Sequence, residues 1–200
     1  MAVPEVPRDY RAPGAVSGDL VERFCERVAE YRATVHRVSA PDLGAVVGEM
    51  CRGRKIGVPA GGPRALRRET VDNPPAAGAL EGVEVVVDDP PLSPEALDGL
   101  DGVLTGCALA IAETGTIVLD GGERSGRRAL TLVPDWHICV VEAESIVASV
   151  PDAVAALAGA AAEGRPLTLV SGPSATSDIE LDRVEGVHGP RNLDVIVVSG

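Results

Sequence analysis

Glu113 stands among hydroxyl side chains between two apolar runs, in the segment Ala110-Ile-Ala-Glu-Thr-Gly-Thr116. A carboxylate in this setting can act as a general base, a nucleophile or an acceptor for a substrate hydroxyl, so Glu113 is a candidate catalytic residue. Thr114, Gly115 and Thr116 are candidate ligand-binding residues beside it. The alternative is a tight turn in which Thr114 and Gly115 only satisfy backbone groups. The residues by themselves leave both interpretations open.

A second polar segment, Ser171-Gly-Pro-Ser-Ala-Thr-Ser-Asp-Ile-Glu180, directly follows an apolar, strand-like run. Its hydroxyl and acidic side chains, together with backbone N–H groups, are suited to cradling an anion or a carboxylate. The candidate ligand-binding residues of this segment are Gly172, Ser174, Thr176, Asp178 and Glu180. The alternative is a hydrogen-bonded turn that caps a short helix.

A third polar segment, Gly186-Val-His-Gly-Pro-Arg191, precedes the last apolar run of the chain. His188 lies between small residues that would leave it accessible to a ligand, so it is a second candidate catalytic residue. Arg191 is a candidate ligand-binding residue, because a guanidinium can bind a carboxylate or a phosphate through two hydrogen bonds. The alternative is a turn that contains a histidine by chance.

Four further polar residues have either structural or ligand-binding interpretations. For His137, which opens a strand-like run, we favour a structural role as a partly buried imidazole bonded to a backbone carbonyl. Three arginines, Arg124, Arg127 and Arg128, follow the pair Gly121-Gly122 on a predicted loop. They are either solvated or close over an anionic ligand.

Composition excludes several classes of protein. A length of 200 residues corresponds to one domain, and a net charge of −12 repels phosphate backbones, so we expect no nucleic-acid binding. The longest apolar stretch, Gly102–Ala112, is far shorter than a membrane-spanning helix. Residues 1–17 carry charges instead of the apolar core of a signal peptide, which predicts a cytoplasmic protein.

The known cofactor and metal motifs are missing from the sequence. There is no Gly-x-Gly pair for a dinucleotide, and the single lysine, Lys55, is not part of a phosphate-binding P-loop. The four cysteines are 26, 56 and 32 residues apart, which is too far for a local iron–sulfur or zinc motif. We therefore expect no metal and no bound cofactor, and four free thiols.

Short apolar runs alternate with amphipathic stretches, which predicts an α/β fold with a mainly parallel sheet covered on both faces. Several apolar runs with little helix between them, in the middle of the chain, indicate a hairpin or mixed pairing there. Residues 1–17 are predicted to form a flexible leader, and residues 18–200 a single domain. The predicted helices are Asp19–Arg32, Pro41–Cys51, a short helix opened by Ser93-Pro94-Glu95, and Asp152–Glu163. The predicted strands are Thr34–Val38, Lys55–Val58, Val83–Val87, Gly102–Thr105, Leu109–Ala112, Thr116–Leu119, His137–Val141, Pro166–Val170 and Leu193–Val198.

The three polar segments belong to one expected site. In open α/β sheets, ligands bind beyond the carboxyl ends of the strands, where loops present backbone N–H groups. We expect the three segments to contribute to a pocket of this kind. The spacing between them allows convergence but does not require it.

Four segments in this order, Ala110–Thr116, Pro134–Ile138, Gly172–Glu180 and Gly186–Arg191, resemble the LUD domain of the lactate-utilisation protein C family. The resemblance is close over residues 100–200 and loose before them. It implies a three-layer α/β fold like that of the NagB/RpiA/CoA-transferase group. It also implies a role in oxidising L-lactate to pyruvate, beside two iron–sulfur partners, lactate-utilisation proteins A and B. One departure is Ala175, where family members commonly carry a basic residue.

Two hypotheses of function follow. In the first, the chain is a component of the cytoplasmic lactate-oxidising system, acts through its iron–sulfur partners and carries no redox cofactor. In the second, it is a stand-alone enzyme or sensor that binds a small anionic metabolite in a strand-end pocket. Fold analogy suggests a CoA ester, a folate or a sugar phosphate as that metabolite, although fold does not establish function.

Overall fold

The computed structural model describes residues 13–14, 17–62, 80–173 and 189–200. In chain order the helices are α1 (Leu20–Glu30), α2 (Leu43–Cys51), α3 (Pro94–Asp98), α4 (Val150–Ala156) and α5 (Ala158–Ala162). The strands are β1 (Thr34–Ser39), β2 (Lys55–Val58), β3 (Glu84–Val87), β4 (Gly102–Gly106), β5 (Leu109–Ile111), β6 (Thr116–Leu119), β7 (Trp136–Glu142), β8 (Ile146–Val147), β9 (Thr168–Val170) and β10 (Asn192–Ser199).

Six strands form one fully parallel sheet in the order β1-β10-β7-β4-β2-β3. The central strands β4, β7 and β10 are buried along most of their length, because helices or a second sheet cover both faces. Strands covered in this way have near-continuous apolar sequences, which is the pattern that predicted them. The expected α/β class and the mainly parallel sheet are therefore confirmed.

Four strands form a second sheet in the order β8-β5-β6-β9. Within it β5 and β6 make an antiparallel hairpin, in which Leu109 lies opposite Val118. This hairpin confirms the mixed pairing predicted for the middle of the chain. Strand β9 pairs with β6 and closes one edge, and β8 runs parallel to β5 at the other.

The core has separate clusters on the two faces of the six-stranded sheet. On one face, α2 packs through Val47 against Ile138 and Ile196. On the other, Phe24 of α1 shares a cluster with Cys139 and with the inner side of the second sheet. Helices α4 and α5 cover the outer side of that second sheet, where Leu157 and Ala153 pack against strands β5 and β6. The second sheet thus lies between the main sheet and the last helices.

Capping residues set the ends of two helices. Asp19 accepts a hydrogen bond from the Glu22 backbone N–H at 3.0 Å and so begins α1. Ser93 accepts one from the Ala96 N–H at 3.2 Å, and Pro94 follows in the first turn of α3.

The alanine-rich helix predicted over 152–163 differs from the structure, since it divides into α4 and α5 at Leu157. Leu157 has a ψ of −1°, outside the regular helical value, and its side chain is buried against the second sheet. None of the helices in the described ranges is long and apolar enough to cross a bilayer.

Candidate functional site

A cavity of about 80 Å³ opens where the two sheets face each other, and we call it the Arg128 pocket. It lies between the amino ends of β7 and β10 and the residues that follow β9. Its polar side chains belong to Arg128, Thr131, Thr168, His137 and Ser171. Its apolar side chains belong to Leu119, Leu169, Val170, Pro173 and Pro190, and Gly172 and Gly189 complete the part of the lining that the structure describes.

Contacts on both sides of Arg128 hold its loop in place. Arg127 donates two hydrogen bonds to the Asp88 carboxylate, at 2.7 and 2.9 Å, and a third to the Leu92 carbonyl at 2.7 Å. Leu130 is fully buried beneath α3 and β4. Because its neighbours are fixed in these two ways, the Arg128 side chain is directed to the pocket and is not a freely solvated loop residue.

The Arg128 guanidinium is half-buried and donates a hydrogen bond to the Thr131 hydroxyl at 3.0 Å. Burial lowers its pKa, yet an arginine stays protonated in proteins. No ion pair to Arg128 occurs within the described ranges, in contrast to Arg127. A half-buried cation without a carboxylate partner favours the binding of an external anion.

His137 lies at the inner end of the pocket and is 1% exposed. Its Nε2 is 2.8 Å from the Thr105 hydroxyl oxygen, which sits on the neighbouring strand β4. Burial, and secondarily the positive charge of Arg128, lowers the pKa of His137 to about 4. The imidazole is therefore neutral near pH 7. The structural role predicted for His137 differs in two respects, because the ring is fully buried and its bonding partner is a side-chain hydroxyl instead of a backbone carbonyl.

A chain of hydroxyl groups links the Glu113 segment to the pocket. Thr114 Oγ1 is 2.7 Å from Thr116 Oγ1, which in turn is 2.8 Å from Ser171 Oγ. Ser171 lines the pocket, so this chain positions one of its polar groups. The first two polar segments predicted from the sequence therefore meet.

The turn between β5 and β6 is held against α1 by close packing. Gly115 has a φ of +61°, and a Cβ at that position would lie 2.7 Å from the backbone of Arg27. Only glycine combines this conformation with so close an approach. The Glu113 backbone N–H donates to the Ala148 carbonyl at 3.1 Å, and the Oε2 atom of Glu113 is buried. Glu113 does not line the Arg128 pocket, and its catalytic role stays a prediction.

The remaining predicted residues lie at the pocket, beside it or outside the described ranges. Gly172 lines the pocket, with a φ of +92°. Arg191 is exposed and forms an ion pair with Asp135 at 3.4 Å, although the preceding Gly189 and Pro190 line the cavity. Ser174, Thr176, Asp178, Glu180 and His188 lie outside the described residues. Their predicted roles stay predictions.

The location of the pocket departs from the general rule for α/β sheets. His137 is the second residue of β7, and Pro190 lies two residues before β10, so both belong to the amino ends of the main strands. The carboxyl ends at the pocket belong to the second sheet, where β6 ends at Leu119 and β9 is followed by Ser171. The pocket forms there because the second sheet packs against the main sheet and leaves a gap at that edge.

Sequence reasoning left five polar lining residues out of the predicted site: Arg128, Thr131, His137, Thr168 and Ser171. Signals for three of them existed, since Ser171 is the first residue of the second polar segment. Arg128 was one of three loop arginines that either were solvated or met an anion, and His137 belonged to the segment Pro134–Ile138. The neighbouring sequence does not distinguish Arg128 from Arg127, because the partner of Arg127, Asp88, lies 39 positions away in the chain.

Two other polar clusters are internally paired. On the α2 side of the main sheet, Asp194 accepts a hydrogen bond from Trp136 Nε1 at 2.6 Å and lies 2.8 Å from His36 Nε2. A wider groove of about 470 Å³ runs beside α4 and α5, where Arg165 Nη1 and Asp120 Oδ2 approach to 2.7 Å. The Arg128 pocket differs from both because its cation has no such carboxylate in the described part of the chain.

Known proteins resemble this chain, two of them over nine-tenths of its length or more. The sequence model of the LUD domain family matches residues 21–198. Lactate utilization protein C of Deinococcus radiodurans is 49% identical over 198 residues, which cover 98% of this chain and 88% of that protein. Lactate utilization protein C of Bacillus subtilis is 35% identical over 100 residues, which cover 48% of this chain and 41% of that protein. A crystal structure of a DUF162 family protein from Deinococcus radiodurans is 42% identical, with a TM-score of 0.73, over 90% of this chain and 96% of that chain.

Proposed function

This chain belongs to the LUD domain family, and on that premise we propose that it serves in lactate utilisation. In this proposal it is a component of the cytoplasmic system that oxidises L-lactate to pyruvate. Two electrons and two protons leave the lactate, and iron–sulfur partners, lactate-utilisation proteins A and B, take up the electrons. The chain itself carries no redox cofactor. The observation that supports the proposal most is the near-full-length similarity to a lactate utilization protein C.

The placement of the cysteines supports this division of roles. Cys51 packs with α2 on one face of the main sheet, whereas Cys25, Cys107 and Cys139 belong to the cluster on the other face. All four are buried free thiols. Burial raises the pKa of Cys51 to about 11 and also raises that of Cys25, which opposes formation of the thiolates that metals bind. An iron–sulfur cluster held by these four thiolates does not fit this arrangement.

Reconstitution tests the proposal directly. We would measure lactate-dependent reduction of an artificial electron acceptor by the purified iron–sulfur partners, with and without this chain, and would test whether the three proteins copurify. We expect both the rate and the assembly to depend on this chain. Partners that assemble and oxidise lactate at an undiminished rate without it would contradict the proposal.

A second candidate function is the binding of a small anionic metabolite, and the Arg128 pocket favours it. The half-buried guanidinium there has hydrogen-bond donors to offer and no ion pair within the described residues. Binding of an anion is compatible with either a catalytic or a regulatory role in lactate utilisation. CoA esters, folates and sugar phosphates are the metabolites that fold analogy suggests, and a thermal-shift screen against these and against small carboxylates tests this candidate.

A further inference from the structure

We propose that the Arg128 pocket binds a short-chain 2-hydroxy or 2-oxo monocarboxylate, with Arg128 as the carboxylate-binding residue and His137 as a contact for the oxygen at C2. This inference rests on the proposed role in lactate utilisation. It also names the class of anion for the second candidate function, the binding of a small anionic metabolite. Charge, volume and the chemistry of the lining support it independently.

The charge of the described lining of the pocket matches one negative charge. Among its described lining residues, Arg128 is the only side chain that is cationic near pH 7. His137 adds no charge, since the burial that lowers its pKa to about 4 keeps the ring neutral. A phosphate monoester carries nearly two negative charges, and one guanidinium would leave the second uncompensated in a half-buried site. A single carboxylate is balanced by one guanidinium, which can bind both of its oxygens.

The volume of the pocket matches a small molecule. One water needs roughly 10–15 Å³ of cavity volume, so about 80 Å³ accommodates roughly five to eight groups of that size. A three- or four-carbon hydroxy or oxo acid, with roughly six or seven non-hydrogen atoms, fills this space. A CoA ester or a folate exceeds it several times over.

The neutral groups of the lining suit the rest of such a molecule. Since the Nε2 atom of His137 is bonded to Thr105, its Nδ1 atom is left for a ligand; it donates in one tautomer and accepts in the other, and a serine hydroxyl can do either. His137 and Ser171 therefore serve a 2-oxo and a 2-hydroxy acid equally well. Leu119, Val170 and Pro190 offer apolar contact for a methyl or ethyl group. A longer polar chain, such as that of a dicarboxylate, would leave a second carboxylate against these apolar walls at a desolvation cost.

A binding panel on the full chain tests the inference. We would titrate pyruvate, L-lactate, acetate, succinate and inorganic phosphate, and follow binding by calorimetry and by ligand-observed NMR. We expect saturable binding of pyruvate and L-lactate, weaker binding of acetate, which lacks the C2 oxygen, and no competition from phosphate or succinate.

Matched variants assign the binding to the pocket. Arg128→Gln removes the charge, and we expect it to weaken pyruvate binding by roughly tenfold or more, because hydrogen bonds between ionised groups are among the stronger ones. Arg124→Gln changes an exposed arginine of the same loop that does not line the pocket, and we expect it to leave binding unchanged. His137→Gln should weaken pyruvate more than acetate, since only pyruvate has an oxygen at C2.

The possible results separate this inference from the proposals on which it rests. Tight binding of phosphate that Arg128→Gln abolishes would overturn the monocarboxylate and leave an anion pocket. Failure of every ligand to bind the wild-type chain would overturn both the monocarboxylate site and the anion pocket. The reconstituted lactate oxidation would still test the role in lactate utilisation. Should Arg128→Gln fail to fold, the selectivity of the wild-type chain among the five ligands decides the question by itself.

Discussion

Acidification from about pH 7 to about pH 5 should cost this protein stability through His137. The imidazole is 1% exposed, and its pKa in the folded chain is about 4. In the unfolded chain water surrounds the ring and the ordinary value of about 6.5 applies. Between these two pKa values the unfolded chain binds a proton that the folded chain does not bind, so the free energy of unfolding must fall as the pH falls.

The size of the effect follows from the two pKa values. The loss begins near pH 6.5, grows by about 1.4 kcal/mol for each pH unit, and levels off below about pH 4, where both states are protonated. The whole gap between 6.5 and about 4 corresponds to about 3 kcal/mol. Between about pH 7 and about pH 5 the expected loss is about 2 kcal/mol. Full burial of the ring means that solvent screening does not reduce this figure.

Urea denaturation at several pH values measures the loss, and the variant His137→Gln isolates it. The glutamine Nε2 atom can reach the Thr105 hydroxyl as the histidine Nε2 does, but the amide does not titrate. At about pH 7 the variant should be less stable than the wild type by about 1–2 kcal/mol because it packs less well. Towards about pH 5 this deficit should shrink or change sign.

Comparing the two proteins cancels the contributions of the titrating groups that both contain. A deficit that stays constant from about pH 7 to about pH 5 would refute the reasoning, because it would mean that the buried ring takes up its proton as readily as one in water. A deficit that grows on acidification would also refute it.

Three further substitutions test particular contacts by chemical denaturation. Gly115→Ala should destabilise the fold by about 2–4 kcal/mol, because residue 115 has a positive φ and an added Cβ would clash with α1. Gly159→Ala is the control: its added Cβ meets open space, so stability should change by less than about 1 kcal/mol. Equal effects of the two substitutions would refute the close packing at Gly115. Thr116→Val should cost about 1–2 kcal/mol by breaking both hydroxyl contacts, and an unchanged midpoint would argue against them. Asp88→Asn should cost about 1 kcal/mol, allowing for the partial exposure of Arg127. Burial alone would raise the pKa of Asp88, but the hydrogen bonds from Arg127 and from the Leu92 backbone N–H hold it below its ordinary value. The wild type should therefore lose this stabilisation only as the pH falls below about 4, and the variant should not.

Local patterns predicted most of the elements. The apolar spacing of Leu20, Phe24 and Val28 predicted α1, and the structure buries the latter two fully. The pair Ser93-Pro94 predicted the start of α3, which is confirmed. These predictions hold because helix periodicity and capping involve residues only a few positions apart. The prediction of one continuous alanine-rich helix was wrong. The helix breaks at Leu157, whose side chain packs against a sheet some forty residues earlier in the chain.

The candidate site was predicted only in part. The segments around Thr116 and Gly172 do approach each other, and Gly172 lines the pocket as a predicted ligand-binding residue. The pocket lies at the amino ends of β7 and β10, whereas the sequence predicted a pocket beyond the carboxyl ends of the strands. That prediction came from a rule for single sheets, which does not consider a second sheet packed against the first. Arg191, chosen for its guanidinium, is exposed and pairs with Asp135, and its ligand-binding role stays a prediction. A side chain's type indicates what it can bind, but its partner depends on contacts that the local sequence does not specify.

The sequence by itself determined the α/β class, most of the strands and helices, and the family, because periodicity, capping and short motifs depend on residues that are close together in the sequence. Only the tertiary structure decided which arginine of one loop faces a cavity. Arg127 meets Asp88 across 39 positions, whereas Arg128 finds a neutral histidine and no carboxylate within the described residues. Burial and charge pairing are properties of the space around a side chain, and the fold alone brings distant segments into that space.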